Sequence, residues 1–203
     1  MTLSDIYTTL QSDSGPAKPD AADRIRQEAW QSPVAFTDFL RSVPLNETCA
    51  LFEVYEVLLQ DSQHFSGILM SELTRLLESA KADPHNASIY AQLNAFELVQ
   101  DDGLRTSMAV VLAEALQTSE PQVRRLAADL AGACLFPGES ALLSRLRSAL
   151  AHDADWRVRL LAYSSLRDHL LAQDPSSTPD LRLTVLDRVR NHLLRARVYD
   201  YAA

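Results

Sequence analysis

Apolar residues recur three and four positions apart from residue 46 onward, and short polar or Pro/Gly breaks interrupt them about every 12 to 17 residues. This spacing is typical of helices that bury one face. It predicts an all-α chain of antiparallel helix pairs. The predicted pairs are 46–60 with 66–80, 87–100 with 102–117, one that starts at 119–121 and breaks at 136–138, and 155–171 with 179–197.

The first 45 residues follow a different pattern. A short helix is predicted over 4–11, and a stretch near 12–19, rich in Ser, Gly and Pro, predicts a flexible linker. Two further helices, over 20–30 and 32–41, are expected to cap the open end of the helix pairs. The predicted organisation is therefore an N-terminal helical cap over 1–45 and one repeat domain of about four helix pairs over 46–203.

The third and fourth helix pairs resemble each other at an offset of 35 residues. Val123 and Arg124 fall on Val158 and Arg159, and Leu126–Ala127 falls on 161–162. The block 155–166 resembles the first helix of a HEAT repeat, and 120–128 is a second copy. The chain thus resembles the HEAT-repeat superfamily, most clearly over 119–171.

The resemblance implies a right-handed α-solenoid of antiparallel helix pairs. In such repeats the valine fills the interface between successive repeats, and the alanine lets paired helices approach closely. The motif arginine binds backbone carbonyls or an acid of the adjoining repeat, because a charged group near a core needs partners. Arg124 and Arg159 are therefore expected to be structural.

Composition and charge reduce the number of function classes that the chain fits. The chain has five glycines in 203 residues, fewer than tight turns between strands or phosphate-binding loops would use. Its net charge is −8, but residues 120–203 hold 12 arginines against 10 acids, whereas 1–119 hold 7 basic against 17 acidic residues. An acidic half repels nucleic acid and anionic lipid, so this asymmetry points to a partner surface in the second half.

The sequence lacks the short motifs that indicate metal binding, nucleotide binding or hydrolysis. The five histidines lack HExxH spacing, the two cysteines form no CxxC pair, and no GxxxxGK, GxGxxG or GxSxG motif occurs. We predict no catalytic, metal or cofactor site and no cofactor. Cys49 and Cys134 lie in apolar helical patterns and are expected to be buried thiols.

No apolar run is long enough to span a bilayer and no signal peptide is evident, so a cytoplasmic protein is expected.

A candidate partner-binding surface lies on the second helices of the last two pairs. The apolar residues 142, 143, 146 and 150, and likewise 183, 186, 189 and 193, are expected to face the core. The outward residues Arg147, Arg182, Arg188, Asn191 and Arg195 would then form a basic stripe, suited to an acidic or phosphorylated peptide or a nucleic-acid backbone. An ordinary solvated helix face would show the same pattern. Trp156 either anchors a partner or covers the groove between repeats.

The leading function hypothesis is a non-enzymatic protein–protein interaction module, such as an adaptor, inhibitor or assembly factor, that binds a partner on the concave face of a short solenoid. The alternative is a nucleic-acid-binding protein related to the alkylpurine DNA glycosylases, which this chain resembles only in repeat type. Overall acidity and the presence of only two lysines, Lys18 and Lys81, weigh against it. A third hypothesis is a lyase-type helper that binds a chromophore or protein.

Overall fold

In the computed structural model, the regular elements of the described residues are all helices, which confirms the all-α class. The structure describes residues 5, 7–8, 17–44, 50–83, 86–135, 140–174, 181–184 and 186–188. The helices are α1 (Ala17–Gln31), α2 (Pro33–Ser42), α3 (Ala50–Leu59), α4 (Ser62–Ala82), α5 (Ala87–Leu93), a 3₁₀ helix (Asn94–Leu98), α6 (Asp102–Ala115), α7 (Pro121–Cys134), α8 (Ser140–His152) and α9 (Trp156–Gln173). None of these helices is both long enough and apolar enough to cross a membrane.

The chain divides into two compact units, Met1–Val111 and Leu112–Ala203, called here the N-terminal and C-terminal units. The division predicted after residue 45 is a different one and stays a prediction. Helix α1 begins at Ala17, inside the stretch predicted as a linker, and residues 12–16 lie outside the described part of the chain. Pro19 fits near this helix start because first-turn amides have no intrahelical acceptor.

Helix α3 is the centre of the N-terminal unit. It packs against α1, α4, α5 and the 3₁₀ helix, and its residues Leu51, Val54, Tyr55 and Leu58 have no exposed surface. Their spacing of three and four positions places these four side chains on one stripe of the helix. Helix α1 also packs against α2 and α4, and its residues Ala21, Ile25 and Ala29 are buried in the core of this unit.

A buried polar cluster joins α3 to α4. The carboxylate of Glu72, which is fully buried, accepts hydrogen bonds from the Tyr55 hydroxyl at 2.9 Å and from Arg75 Nε at 2.9 Å and Nη2 at 2.7 Å. Burial, and then the charge of Glu72, raise the pKa of Tyr55 well above its usual value. The hydroxyl therefore stays protonated and remains a donor to the carboxylate.

The C-terminal unit is built around close contact between α7 and α9, and α9 also packs against α8. Val123 and Ala127 of α7 and Val158 and Ala162 of α9 have no exposed surface, as the repeat motif predicts. The Ser165 hydroxyl of α9 donates to the backbone carbonyl of Ala128 in α7 at 2.8 Å. A Cβ at Gly132 would lie 3.3 Å from that hydroxyl oxygen. The glycine therefore permits the close approach of α7 and α9.

One sequence prediction needs correction, and another can be compared with the structure only in part. The helix predicted over 87–100 is an α-helix only to Leu93 and continues as the 3₁₀ helix Asn94–Leu98, which places Phe96 with its ring centroid 5.4 Å from that of Tyr55. Cys134 is buried as expected, whereas Cys49 lies outside the described residues.

A buried amide in α5 offers a test of the N-terminal core. Gln92 is fully buried, and neither its Nε2 nor its Oε1 has a hydrogen-bond partner among the described residues. Because an unsatisfied buried amide is costly, we expect Gln92→Met, which keeps the shape, to raise the free energy of unfolding by about 1 kcal/mol. Urea denaturation measures this change, with Gln63→Met on the exposed face of α4 as the control. A loss of stability in Gln92→Met alone would contradict the prediction.

Candidate functional site

The first of two matching arginine sites in the C-terminal unit lies at the start of α7. Arg124 binds the carboxylate of Asp153 through Nε at 2.7 Å and through Nη2 at 3.0 Å. Its Nη1 donates to the backbone carbonyls of Thr118 at 2.9 Å and Ser119 at 2.8 Å. One side chain therefore ties the loop before α7 to the loop after α8.

The start of α9 repeats this arrangement. Arg159 binds the carboxylate of Asp187 through Nε at 2.7 Å and Nη2 at 2.9 Å, and its Nη1 donates to the carbonyls of Asp153 at 2.6 Å and Ala154 at 3.3 Å. Both arginines bind the carbonyls five and six residues before them. The expectation that Arg124 and Arg159 are structural is confirmed by these contacts.

A third ion pair strengthens the loop between α8 and α9. Arg125 binds the Asp155 carboxylate through Nε at 2.7 Å and also through Nη2. Asp155 caps α9 by accepting from the Arg157 amide at 2.9 Å, and its own amide donates to Asp153 Oδ1 at 2.8 Å. Burial acts to raise the pKa of Asp155, but the Arg157 amide and the Arg125 guanidinium outweigh it, so the pKa is lowered.

The structural arginines use aspartates that the sequence alone did not pair with them. Asp153 lies in the loop after α8, and its partner Arg124 lies 29 residues earlier in the sequence. Asp187 is fully buried, although the pattern predicts Leu186 as the inward residue of a helix starting near 179. Residues 181–184 are not helical, so the register differs: Leu186 is 58% exposed and Asp187 turns inward to Arg159.

The predicted basic stripe is found only in part. Arg147 lies exposed on α8, on the side opposite the buried Leu142 and Leu146, which agrees with the predicted faces. Arg188 is exposed and, with Arg182, lines a cavity of about 470 Å³ whose other walls include Tyr163, Leu181 and Leu183. Asn191 and Arg195 lie outside the described residues.

Trp156 is half-buried at the first position of α9. The guanidinium carbon of Arg157 lies 5.1 Å from the centroid of the indole ring, within the range of a cation–π contact. Part of the ring is thus covered by its own neighbour. A partner that used Trp156 as an anchor would contact the remaining exposed part and the arginine beside it.

Neither a protein-family model, nor a curated protein, nor a solved structure gave a significant match to the chain. The resemblance to HEAT repeats therefore depends on the residues within 119–171. Across the described ranges, no group of three or more His, Cys, Asp or Glu side chains is placed to hold a metal ion.

Removal of one structural aspartate should destabilise the C-terminal unit. The side chains of Arg124 and Asp153 are 13% and 6% exposed, so Asp153→Ala leaves a buried guanidinium without its counter-ion and should cost about 3 kcal/mol or more. The control is Asp168→Ala, whose pair with Arg167 is far more exposed and worth about 0–1 kcal/mol. Urea denaturation is followed by Trp156 fluorescence in a Trp30→Phe background. Equal losses in the two variants would contradict the prediction.

Acid should weaken the C-terminal unit through Asp155. Because its pKa is lower in the folded state, its charge stabilises the fold above the ordinary aspartate value of about 3.9, and this contribution is lost as pH falls through the folded-state pKa. Asp155→Asn keeps a good helix cap but cannot ionise. From about pH 6 to pH 3, wild type should lose more unfolding free energy than Asp155→Asn, measured by urea denaturation. Parallel curves would show that Asp155 makes no such contribution.

Proposed function

We propose that this chain is a non-enzymatic protein–protein interaction module of the cytoplasm, such as an adaptor, inhibitor or assembly factor. Its helix pairs would stack as a short right-handed HEAT-like solenoid and bind a partner through arginines on the concave face. The observation that carries the proposal is the division of the arginines of the C-terminal unit into two groups, those bound within the fold and those available at the surface.

The guanidinium groups of the first group are already bound to acceptors within the fold. Arg124, Arg125 and Arg159 each bind an aspartate that is largely buried. The second group consists of Arg145, Arg147 and Arg188, which are exposed and make no side-chain hydrogen bond or ion pair within the described part of the chain. The guanidinium groups of this second group keep all their donors for a partner.

The chemistry of the second group favours an acidic or phosphorylated protein segment. The planar guanidinium pairs with two oxygens of a carboxylate or phosphate at once, which gives both strength and orientation. Nucleic acid is a weaker candidate, because the three bound arginines are neutralised within the fold and the whole chain carries a net charge of −8. Nonspecific affinity for nucleic acid depends mainly on neutralising phosphates.

The solenoid part of the proposal is supported by the repeated contacts. Equivalent arginine contacts recur at an offset of 35 residues, and α9 packs against both α7 and α8. Repeated contacts between neighbouring helix pairs are typical of α-solenoids. In such stacks the second helix of each pair, here α8 with Arg147, commonly lines the concave face.

The proposal is tested by charge reversal and affinity capture. Full-length wild type and the double variant Arg147→Glu with Arg188→Glu are immobilised and exposed to lysate of the source organism, with and without nuclease. We expect a specific protein that wild type captures despite nuclease and that the double variant loses. The melting temperature should stay nearly the same, because exposed arginines without partners contribute about 0.5 kcal/mol or less to stability.

The control variant is Arg167→Glu, which changes the same charge on α9 at a residue already paired with Asp168. Capture that the double variant retains would show that these arginines are not the binding surface. Capture that nuclease abolishes would favour the nucleic-acid alternative instead. Adding Arg195→Glu tests the predicted residue that lies outside the described part of the chain.

A further inference from the structure

The N-terminal unit contains an open groove between the end of α1, the helix α2 and the first turns of α4, with a volume of about 580 Å³. Its apolar walls include Trp30, Val34, Phe65 and Ile68. Trp30 is 60% exposed and Val34 is 76% exposed, so the groove is open to solvent along one side. An enclosed small-molecule pocket would bury such side chains, whereas an open groove fits a protein segment.

Trp30 is held in position although it is exposed. Its ring makes an edge contact with the imidazole of His64, with centroids 4.7 Å apart, and His64 Nδ1 lies 2.6 Å from Asp61 Oδ1. A tryptophan that is already ordered loses little rotamer freedom on binding. Ordered aromatic side chains of this kind often dominate the binding energy of an interface.

Gly67 leaves part of the groove unfilled. It lies inside α4, and among the described residues a Cβ at this position would meet no atom within 4 Å beyond the adjacent turns of its own helix. Glycine weakens a helix interior relative to alanine, and no packing contact with the described residues requires it here. A partner side chain can therefore approach the backbone of α4 closely at this point.

The walls of the groove determine what kind of segment can bind. They belong to the three helices α1, α2 and α4, whose backbone groups are hydrogen-bonded within each helix away from the ends. An extended peptide would need backbone partners from an open strand edge, which these walls do not supply. A helix satisfies its own backbone and needs only apolar side chains that fit the groove.

The charge around the groove indicates which polar side chains the bound helix would carry. Asp38 is 69% exposed at the rim and lies 4.0 Å from Arg41, which also donates to Ser71 at 3.3 Å. Residues 1–111 hold 16 acidic against 7 basic residues, a net charge of −9 with histidine neutral. This field attracts a basic segment and repels an acidic one.

We infer that this groove binds an amphipathic basic helix of a partner protein. The helix would place two or three apolar side chains against Trp30, Val34 and the space above Gly67, and would pair a lysine or arginine with Asp38. This surface and its ligand differ from those of the proposed function, which concerns arginines of the C-terminal unit. The inference therefore stands or falls on a separate experiment.

The test begins with selection from a display library of helical peptides of about 16 residues, which make four turns or more, with one face randomised. The target is the full-length chain, and Val34→Lys is the counter-target. We expect enriched peptides to have apolar residues spaced three, four and seven positions apart, flanked by lysine or arginine. In a Trp156→Phe background, Trp30 is the only tryptophan and its emission should shift on binding.

Affinities of the enriched peptides are then measured on matched variants. Val34→Lys and Gly67→Trp should weaken binding about tenfold or more, because the first places a positive charge where the basic helix would bind and the second fills the groove. The control is Val110→Lys, the same change at a 57% exposed valine of the same unit that does not line the groove, and it should bind like wild type. Gly67→Ala, which adds only one methyl group, should weaken binding less than Gly67→Trp. Asp38→Asn and added salt should each weaken binding.

The inference is overturned if no peptide is enriched over the counter-target, or if enriched peptides are acidic or carry helix-breaking prolines. Unchanged affinity for Val34→Lys would also overturn it. Sedimentation of the wild-type chain tests whether a second copy of the chain occupies the groove. If the chain self-associates, and Val34→Lys abolishes this whereas Val110→Lys does not, the groove binds a second copy of the chain and the inference is wrong.

Discussion

In the C-terminal unit, an arginine at the start of one helix pairs with an aspartate 28 or 29 residues later in the sequence, and the packing of the unit depends on this pairing. A helix that follows a short loop leaves loop carbonyls without amide partners, and burying them unpaired would be costly. Arg124 satisfies two such carbonyls and the Asp153 carboxylate at once, and Arg159 does the same one repeat later. These contacts fix the position of each helix start, and thereby bring the alanines and Ser165 of α7 and α9 into close contact.

The pairing also determines which charges remain for a partner. Three largely buried aspartates hold Arg124, Arg125 and Arg159 within the fold, whereas Arg145, Arg147 and Arg188 lie exposed. The N-terminal unit buries charge differently: Glu72 is buried with Tyr55 and Arg75, and the unit has a large excess of acidic residues. The two proposed binding surfaces would therefore take ligands of opposite charge.

Local spacing was enough to predict the all-α class, because it depends on residues within one helix. The buried Val and Ala positions and the structural role of the two motif arginines were expected from the resemblance to HEAT repeats. Neither the spacing nor the resemblance was enough to predict which acids bind these arginines, since Asp153 and Asp187 lie 29 and 28 residues away in sequence. The inward turn of Asp187 was missed because a leucine beside it fitted the helical period. The groove at Trp30 was missed because exposure depends on how α1, α2 and α4 pack, which no single helix encodes.

Arginine and lysine would not be equivalent at these two kinds of position. In the fold, one guanidinium spans a carboxylate and two carbonyls that lie in different directions, which requires several donors on a rigid plane. A lysine ammonium has one nitrogen and could keep the charge but not all of these contacts. At exposed positions such as Arg147, lysine would preserve charge and lose only the bidentate geometry. The presence of arginine at positions 124 and 159 is therefore explained by this geometry, because each side chain binds a carboxylate and two carbonyls at once.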